Sequence, residues 1–265
     1  MALKKPKLGQ HFLTNLTARQ RIVDALGDIS GCTVIEIGPG RGAITDLLVP
    51  HARRLIAIEL DRDLAPALAA YYASASNVQI LAADILTVKL AELRDSSDTG
   101  DLVVVGNLPY YITSDILLWL FAQTSDFSRA VLMMQEEVAD RITALPGGSE
   151  YGLLSATTQL HANAEKLFPL PPGVFSPPPK VNSAVVRLHP APRFAELNIE
   201  RQPFLNFLRA CFQQKRKTLA NNLRAAGYTP EQITTAAHAA ALDTTLRTEA
   251  VSLDAMARLF LALGV

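Results

Sequence analysis

Five short apolar runs, each followed by a stretch with helical spacing, constrain the fold of this chain more than any other feature. Each run is apolar on both faces, as strands are when helices cover a parallel sheet on both sides. Right-handed crossover connections then favour a doubly wound, open sheet of the Rossmann-like type. The predicted strands are Thr33–Gly38, Arg54–Asp61, Val78–Leu86, Asp101–Gly106 and Ala130–Gln135.

The pattern changes after Gly147. Leu153–His161 is predicted to be a helix, and Ala164–Leu170 and Val181–Leu188 are predicted strands. Five prolines within Pro171–Pro179 exclude both a helix and a central strand there. The rest of the chain has helical patterning. We therefore predict an α/β domain over residues 1–188 with a mostly parallel sheet, and a small all-helical domain over residues 189–265.

Composition narrows the class of protein. Apolar residues make up 49% of the 265 residues, which is enough for a large core. The longest apolar run, Ile116–Ala122, is far shorter than the roughly 18 residues that a membrane span needs, so we expect neither a span nor a secretory signal. The two cysteines are too few and too far apart for a disulfide framework or a metal knuckle, which favours the cytoplasm.

The zero net charge conceals an asymmetry along the chain. Residues 1–179 contain 14 Lys and Arg against 19 Asp and Glu, whereas residues 180–265 contain 11 against 6. The first 21 residues form another basic segment, which contains Lys4, Lys5, Lys7, Arg19 and Arg21 and no acidic residue. Basic segments on either side of an acidic middle favour a polyanionic partner, although such charges also occur on ordinary solvated surfaces.

The first strand is followed by a glycine-rich loop, Gly38-Pro-Gly-Arg-Gly42. Glycines allow a sharp turn and close approach of a ligand to the backbone, at the sheet edge where ligands of open α/β sheets bind. Glu59 ends the second strand, where a carboxylate can accept both hydroxyls of a ribose, and Asp84 ends the third, near where an adenine amino group would lie. This spacing lacks the full dinucleotide motif and fits S-adenosyl-L-methionine better than NAD.

Asn107-Leu108-Pro109-Tyr110 directly follows the fourth strand. Adenine N6 is a poor nucleophile because its lone pair is delocalised into the ring, so a site that alkylates it needs acceptors for the amino hydrogens. The Asn107 side chain and the Leu108 carbonyl can supply these acceptors, and the Tyr110 ring can stack on the base. Taken alone, the same tetrapeptide also fits a proline-containing turn with a core tyrosine.

Several segments occur in the order seen in one known family: GQHFL at 9–13, EIGPGRGAIT at 36–45, IELDRDL at 58–64, AADIL at 82–86, GNLPYYIT at 106–113 and VFSPPPKVNSAVVRL at 174–188. The chain closely resembles the 16S rRNA adenine-N6,N6-dimethyltransferases of the KsgA/RsmA type. The resemblance extends through the C-terminal segment, which contains QQKRKT at 213–218.

The resemblance implies both a reaction and a set of site residues. The implied reaction is N6,N6-dimethylation of two adjacent adenosines in the 3′-terminal hairpin of 16S rRNA, in the small subunit or its precursor, by a cytoplasmic monomer without a metal. The resemblance also implies that Asn107–Tyr110 form the catalytic loop, that Phe175 stacks on the target adenine opposite Tyr110, and that Lys215, Arg216 and Lys217 bind RNA. The implied cofactor-binding residues are His11, Leu13, Gly38, Glu59, Asp84 and Asn107.

Two other classes stay open at this stage. A nicotinamide-dependent oxidoreductase would share the sheet and its acidic residues, but it leaves Asn107–Tyr110 unexplained. A non-catalytic ribosome-assembly or RNA-binding factor would keep the basic segments without the chemistry. For Lys215, Arg216 and Lys217, a solvated helix face is the alternative to phosphate contact.

Overall fold

The structure is a computed structural model, and it describes residues 11–94 and 100–264. The chain divides into two compact units, residues 1–139 with 165–190, and residues 140–164 with 191–265. The predicted division had one boundary, after residue 188. The structure instead groups residues 140–164 with the C-terminal helices, because Ala156 and Leu160 belong to the same apolar cluster as Phe204 and Phe260.

The first unit is built on a seven-stranded sheet, with two further strands beside it. The strands are β1 Phe12–Leu13, β2 Thr33–Ile37, β3 Arg54–Glu59, β4 Val78–Ala82, β5 Leu102–Asn107, β6 Arg129–Gln135, β7 Ala162–Leu170, β8 Phe175–Ser176 and β9 Ser183–Pro190. The order in the sheet is β4-β3-β2-β5-β6-β9-β7. Strands β2 to β6 are mutually parallel, and β9 is antiparallel to β6. Strands β1 and β8 form a separate antiparallel pair.

The predicted Rossmann-like, mostly parallel fold is confirmed. All residues of β2 are buried, as are nearly all of β3, β5 and β6, which explains their continuous apolar sequence. The third predicted strand differs, because β4 lies at the sheet edge and has no buried residue. The helical segment that follows β2 is short, Thr45–Leu48.

Helices connect the strands and form the second unit. The helices are α1 Leu16–Asp24, α2 Thr45–Leu48, α3 Leu64–Tyr71, α4 Leu90–Leu93, α5 Thr113–Phe121, α6 Glu136–Thr143, α7 Leu153–His161, α8 Arg201–Cys211, α9 Leu219–Ala225, α10 Pro230–Ala239 and α11 Leu253–Leu263. Asn15 caps α1 through its side chain, and Thr229 and Gln232 form a capping box at the start of α10. Within the described ranges, no helix has the length and apolar character to cross a bilayer.

Candidate active site

The carboxyl ends of the parallel strands open into a cavity of about 1050 Å³, open solvent at its mouth included. The order in which successive strands are added to the sheet reverses between β2 and β5, and ligands of open α/β sheets bind at such a point. The structure brings together at this cavity all the predicted cofactor and loop residues, namely His11, Leu13, Gly38, Glu59, Asp84, Asn107, Leu108, Pro109 and Tyr110.

The glycine loop has backbone conformations that other residues rarely adopt. Gly38, Gly40 and Gly42 have φ values of 65°, 60° and 81°. A Cβ at Gly42 would lie 2.6 Å from the Tyr72 hydroxyl, so space and conformation both require glycine there. The loop thus brings main-chain atoms to the cavity wall without side chains in the way.

Glu59 connects this loop to the end of β3. Its Oε2 accepts from the Gly40 N–H and its Oε1 from the Asp61 N–H, both at 2.9 Å. Burial raises the pKa of this carboxyl, whereas the backbone donors oppose the shift. A carboxylate has about four acceptor positions, and these backbone donors occupy only part of them.

Asp84 caps the short 3-10 helix Ile85–Thr87, since its Oδ1 accepts from the Leu86 N–H at 3.0 Å. The capping role therefore accounts for one carboxylate oxygen. The second carboxylate oxygen takes no part in this cap. Leu60 and Ile85 add apolar surface beside the two acids, and no motif in the sequence distinguishes them from core residues.

Glu36 is a further cavity residue that sequence reasoning missed as a functional group. It lies within β2, is 2% exposed, and accepts a 2.7 Å hydrogen bond from the Thr45 hydroxyl. Burial, with Glu59 and Asp46 nearby, raises its pKa to about 7. An acid inside an otherwise apolar strand was the available signal.

The Asn107–Tyr110 loop is fixed at several points. The Asn107 Nδ2 donates to the His11 carbonyl at 3.0 Å, and the Leu108 N–H donates to the Met133 carbonyl at 2.9 Å. The Tyr110 ring stacks on the His11 ring, with centroids 5.6 Å apart and planes inclined by 29°. These contacts hold the loop at the cavity wall. The hydrogen bond to His11 uses the Asn107 nitrogen and not its side-chain oxygen.

Phe175 does not lie where the resemblance implied. Its side chain is 4% exposed, belongs to the same apolar cluster as Leu13 and Leu170, and is not among the residues that line the cavity. The pairing of β1 with β8 sets Leu13 opposite Phe175 and directs this ring into the core. In this structure the Phe175 ring is therefore a core side chain, and its stacking on the target adenine stays a prediction.

Lys215, Arg216 and Lys217 are exposed, but they form a turn between α8 and α9, not a helix face. The Arg216 φ of 67° lies in the left-handed region. The buried Asn222 side chain clamps the start of this turn by binding both the N–H and the carbonyl of Gln214. Of the basic segment near the beginning of the chain, Lys4, Lys5 and Lys7 lie outside the described residues. The Arg19 guanidinium donates to the Leu13 carbonyl, and that of Arg21 lies over the Phe168 ring.

A glycine loop, strand-end carboxylates and the Asn107–Tyr110 loop together define an S-adenosylmethionine-dependent methyltransferase. The family model described as ribosomal RNA adenine dimethylase matches residues 1–263, and the chain belongs to this family. The reaction is S-adenosylmethionine-dependent dimethylation of adenine in ribosomal RNA.

Individual relatives agree with this assignment. Two proteins named ribosomal RNA small subunit methyltransferase A are similar over 97% of this chain: that of Acidobacterium capsulatum is 53% identical, with 90% of its length covered, and that of Koribacter versatilis is 51% identical, with 93% covered. A dimethyladenosine transferase from Plasmodium falciparum has a TM-score of 0.80 at 25% identity, covering 96% of this chain and 99% of that one. The 23S rRNA methyltransferase ErmE has a TM-score of 0.70 at 25% identity, covering 96% and 100%.

Proposed function

We propose that this chain dimethylates N6 of two adjacent adenosines in the 3′-terminal hairpin of 16S rRNA, in the small subunit or its precursor. The observation that carries the proposal is 51–53% identity, over 97% of the chain, to two proteins named for the small subunit. ErmE, which is named for 23S rRNA, is only 25% identical to this chain, so it gives weaker support to a substrate in the large subunit. We further propose a cytoplasmic monomer.

The cavity residues fit the methyl donor. The buried Glu59 carboxylate, held by two backbone N–H groups, would bind the ribose hydroxyls, and the second Asp84 oxygen would accept from the adenine amino group. Gly38 and Leu13 would border the donor along the loop and β1, while the His11 carbonyl orients Asn107. When bound, the donor supplies an electrophilic methyl group on a sulfonium sulfur.

The catalytic loop would prepare the target nitrogen for attack. The Asn107 oxygen and the Leu108 carbonyl would accept the two N6 hydrogens and draw the nitrogen towards tetrahedral geometry. The N6 lone pair then forms the new N–C bond as the S–C bond breaks and its electron pair stays on sulfur. The proton on the alkylated nitrogen leaves to water, so positioning accounts for most of the rate.

The RNA must present an unstacked adenine to this loop, because N6 is out of reach inside a helix. The Tyr110 ring would stack on one face of the extruded base. In the second unit, the exposed turn at Lys215, Arg216 and Lys217 would contact phosphates, which fix register without reading sequence.

Mapping the methylated positions tests the proposal. Undermethylated small and large subunits are incubated in parallel with the protein and tritiated S-adenosylmethionine, and modified nucleotides are located by mass spectrometry of rRNA fragments. We expect dimethyladenosine at two adjacent positions of the 3′-terminal hairpin, and none with Asn107→Ala. Methylation of 23S rRNA alone would overturn the proposed substrate.

A further inference from the structure

A hydrogen bond joins the cavity residue Tyr110 to Ser183, which lies on a distant part of the chain. The two hydroxyl oxygens lie 2.6 Å apart, and the residues are 73 positions apart in the chain. Ser183 is the first residue of β9, is fully buried and pairs with Gln135 of β6. It does not line the cavity, so it has no direct access to either substrate.

This hydrogen bond determines where the phenol end of Tyr110 lies. The ring is half-buried and contacts His11 on one face, so a base would have to stack on the opposite face. A tyrosine side chain has two torsion angles, and holding its ring face and its hydroxyl at once restricts both. The Ser183 hydroxyl is part of β9, so the restraint on the loop comes from the sheet.

We propose that Ser183 is a positioning residue of the methyl-transfer site, which holds the Tyr110 ring in the orientation that stacks on the target adenine. The proposal rests on the proposed role of Tyr110 in base stacking. Ser183 acts through Tyr110 alone and touches neither the adenine nor the methyl donor. Preset orientation lowers the conformational cost of docking the extruded base in the complex with RNA already bound, so its effect falls on the methyl-transfer rate and not on RNA affinity.

A purely structural role makes a different prediction. A buried hydroxyl needs a hydrogen-bond partner in any protein, and on that view the Tyr110 hydroxyl only satisfies Ser183. Loss of the bond would then lower the melting temperature and leave the rate of the folded enzyme unchanged. The two roles are therefore distinguished by a rate measured well below the melting temperature.

The experiment is a double-mutant cycle on the single-turnover rate of methyl transfer to undermethylated small subunits, with both substrates saturating. Ser183→Ala and Tyr110→Phe each remove the hydrogen bond, and Tyr110→Phe keeps the ring. We expect each to slow transfer about three- to tenfold, with the double variant no slower than either single one. The dissociation constants for S-adenosylmethionine and RNA should match the parent.

Two further variants complete the test. Ser155→Ala is the matched control, since Ser155 is also fully buried and hydrogen-bonded but belongs to the other unit, and it should keep the parent rate. Tyr110→Ala tests stacking itself. If Tyr110→Ala is slow while Tyr110→Phe has the parent rate, the positioning role is overturned and base stacking stands, even if Ser183→Ala fails to fold. Additive effects also overturn the positioning role, and parent-like Tyr110→Ala overturns stacking as well.

Discussion

The Asn107 amide nitrogen donates a 3.0 Å hydrogen bond to the main-chain carbonyl of His11, 96 residues earlier in the chain. A carbonyl can only accept, so the atom of Asn107 that faces it must be the NH₂ group. The amide is thereby oriented, and its oxygen is the group left for an amino hydrogen of the target adenine.

This orientation predicts that a donor and an acceptor are both needed at position 107. Asn107→Ala removes both, and we expect methyl transfer to fall at least about a hundredfold, as for loss of one preorganised polar contact. Asn107→Asp restores an acceptor but has no N–H for the His11 carbonyl, so we expect it to be similarly slow. Single-turnover assays with filter binding of RNA check that binding is retained.

Asn77→Ala is the matched control for these variants. Asn77 also donates its amide to main-chain carbonyls, those of Val49 and Ala52, but it is not a cavity residue. It should lose stability and keep its rate once folded. Near-parent methyl transfer by Asn107→Ala would remove Asn107 from the mechanism.

The buried Glu36 predicts an unusual dependence of stability on pH. Burial raises its pKa from 4.5 to about 7, so between these values the folded protein holds a proton that the unfolded chain releases. The contribution of Glu36 to stability is therefore lost as pH rises through this window, by up to about 1.4 kcal/mol per pH unit. Urea unfolding from pH 4.5 to 7.5 should show this decline relative to Glu36→Gln. Parallel curves for the two proteins would contradict it.

The same carboxyl predicts pH-dependent binding of the methyl donor. Among the described residues, the cavity is lined by Glu36, Glu59 and Asp84 and by no Lys or Arg. A cationic sulfonium favours ionised Glu36, so S-adenosylmethionine affinity should rise with pH up to about 7 and level off above. Calorimetry should show a weaker rise for S-adenosylhomocysteine, which lacks the sulfonium charge, and for Glu36→Gln. Equal pH profiles for the two ligands would contradict the prediction.

The sequence was sufficient for the features that depend on local pattern. The four inner parallel strands were predictable because burial on both faces leaves a continuous apolar run. Glu59 was predictable because it ends such a run, and Asp84 because it lies near the end of an apolar strand, β4, although that strand is not buried. The exposure of β4 could not be predicted, because its edge position depends on the order of the strands in the sheet.

Contacts between distant segments account for the remaining differences. The burial of Phe175 follows from its pairing with Leu13, and the orientation of Tyr110 follows from its hydrogen bond to Ser183. Both contacts join residues far apart in the sequence, so no local pattern indicates them. The turn at Lys215–Lys217 depends on Asn222, which helical periodicity does not reveal.

The position of Phe175 predicts that volume matters there and aromaticity does not. Phe175→Ala should cost about 3–5 kcal/mol of unfolding free energy by leaving a cavity in the core. Phe175→Leu retains most of the apolar volume, and we expect its methyl-transfer rate to stay within about threefold of the parent. The matched change at the proposed stacking residue, Tyr110→Leu, should be far slower. A Phe175→Leu variant that is stable but transfers methyl groups slowly would instead indicate that the Phe175 ring stacks on the target base.

The turn at Lys215, Arg216 and Lys217 predicts a salt-dependent share of RNA affinity. Each cation that contacts a phosphate releases a counterion, so replacing all three should weaken binding and flatten the slope of log K against log salt by up to about 2–3 units. Position 216 takes glycine, because its φ of 67° disfavours alanine. The variant is therefore Lys215→Ala, Arg216→Gly and Lys217→Ala, measured by filter binding of small subunits across a salt series.

A second triple variant separates local contacts from overall charge. Arg53, Lys89 and Arg94 are exposed residues of the first unit that do not line the cavity, and changing all three to Ala removes the same net charge. We expect this control to keep nearly the parent slope, because only cations that contact phosphates displace condensed counterions. If both triple variants flatten the slope equally, the basic turn contributes only to the long-range field. If the turn variant keeps the parent slope, its three cations are ordinary solvated charges.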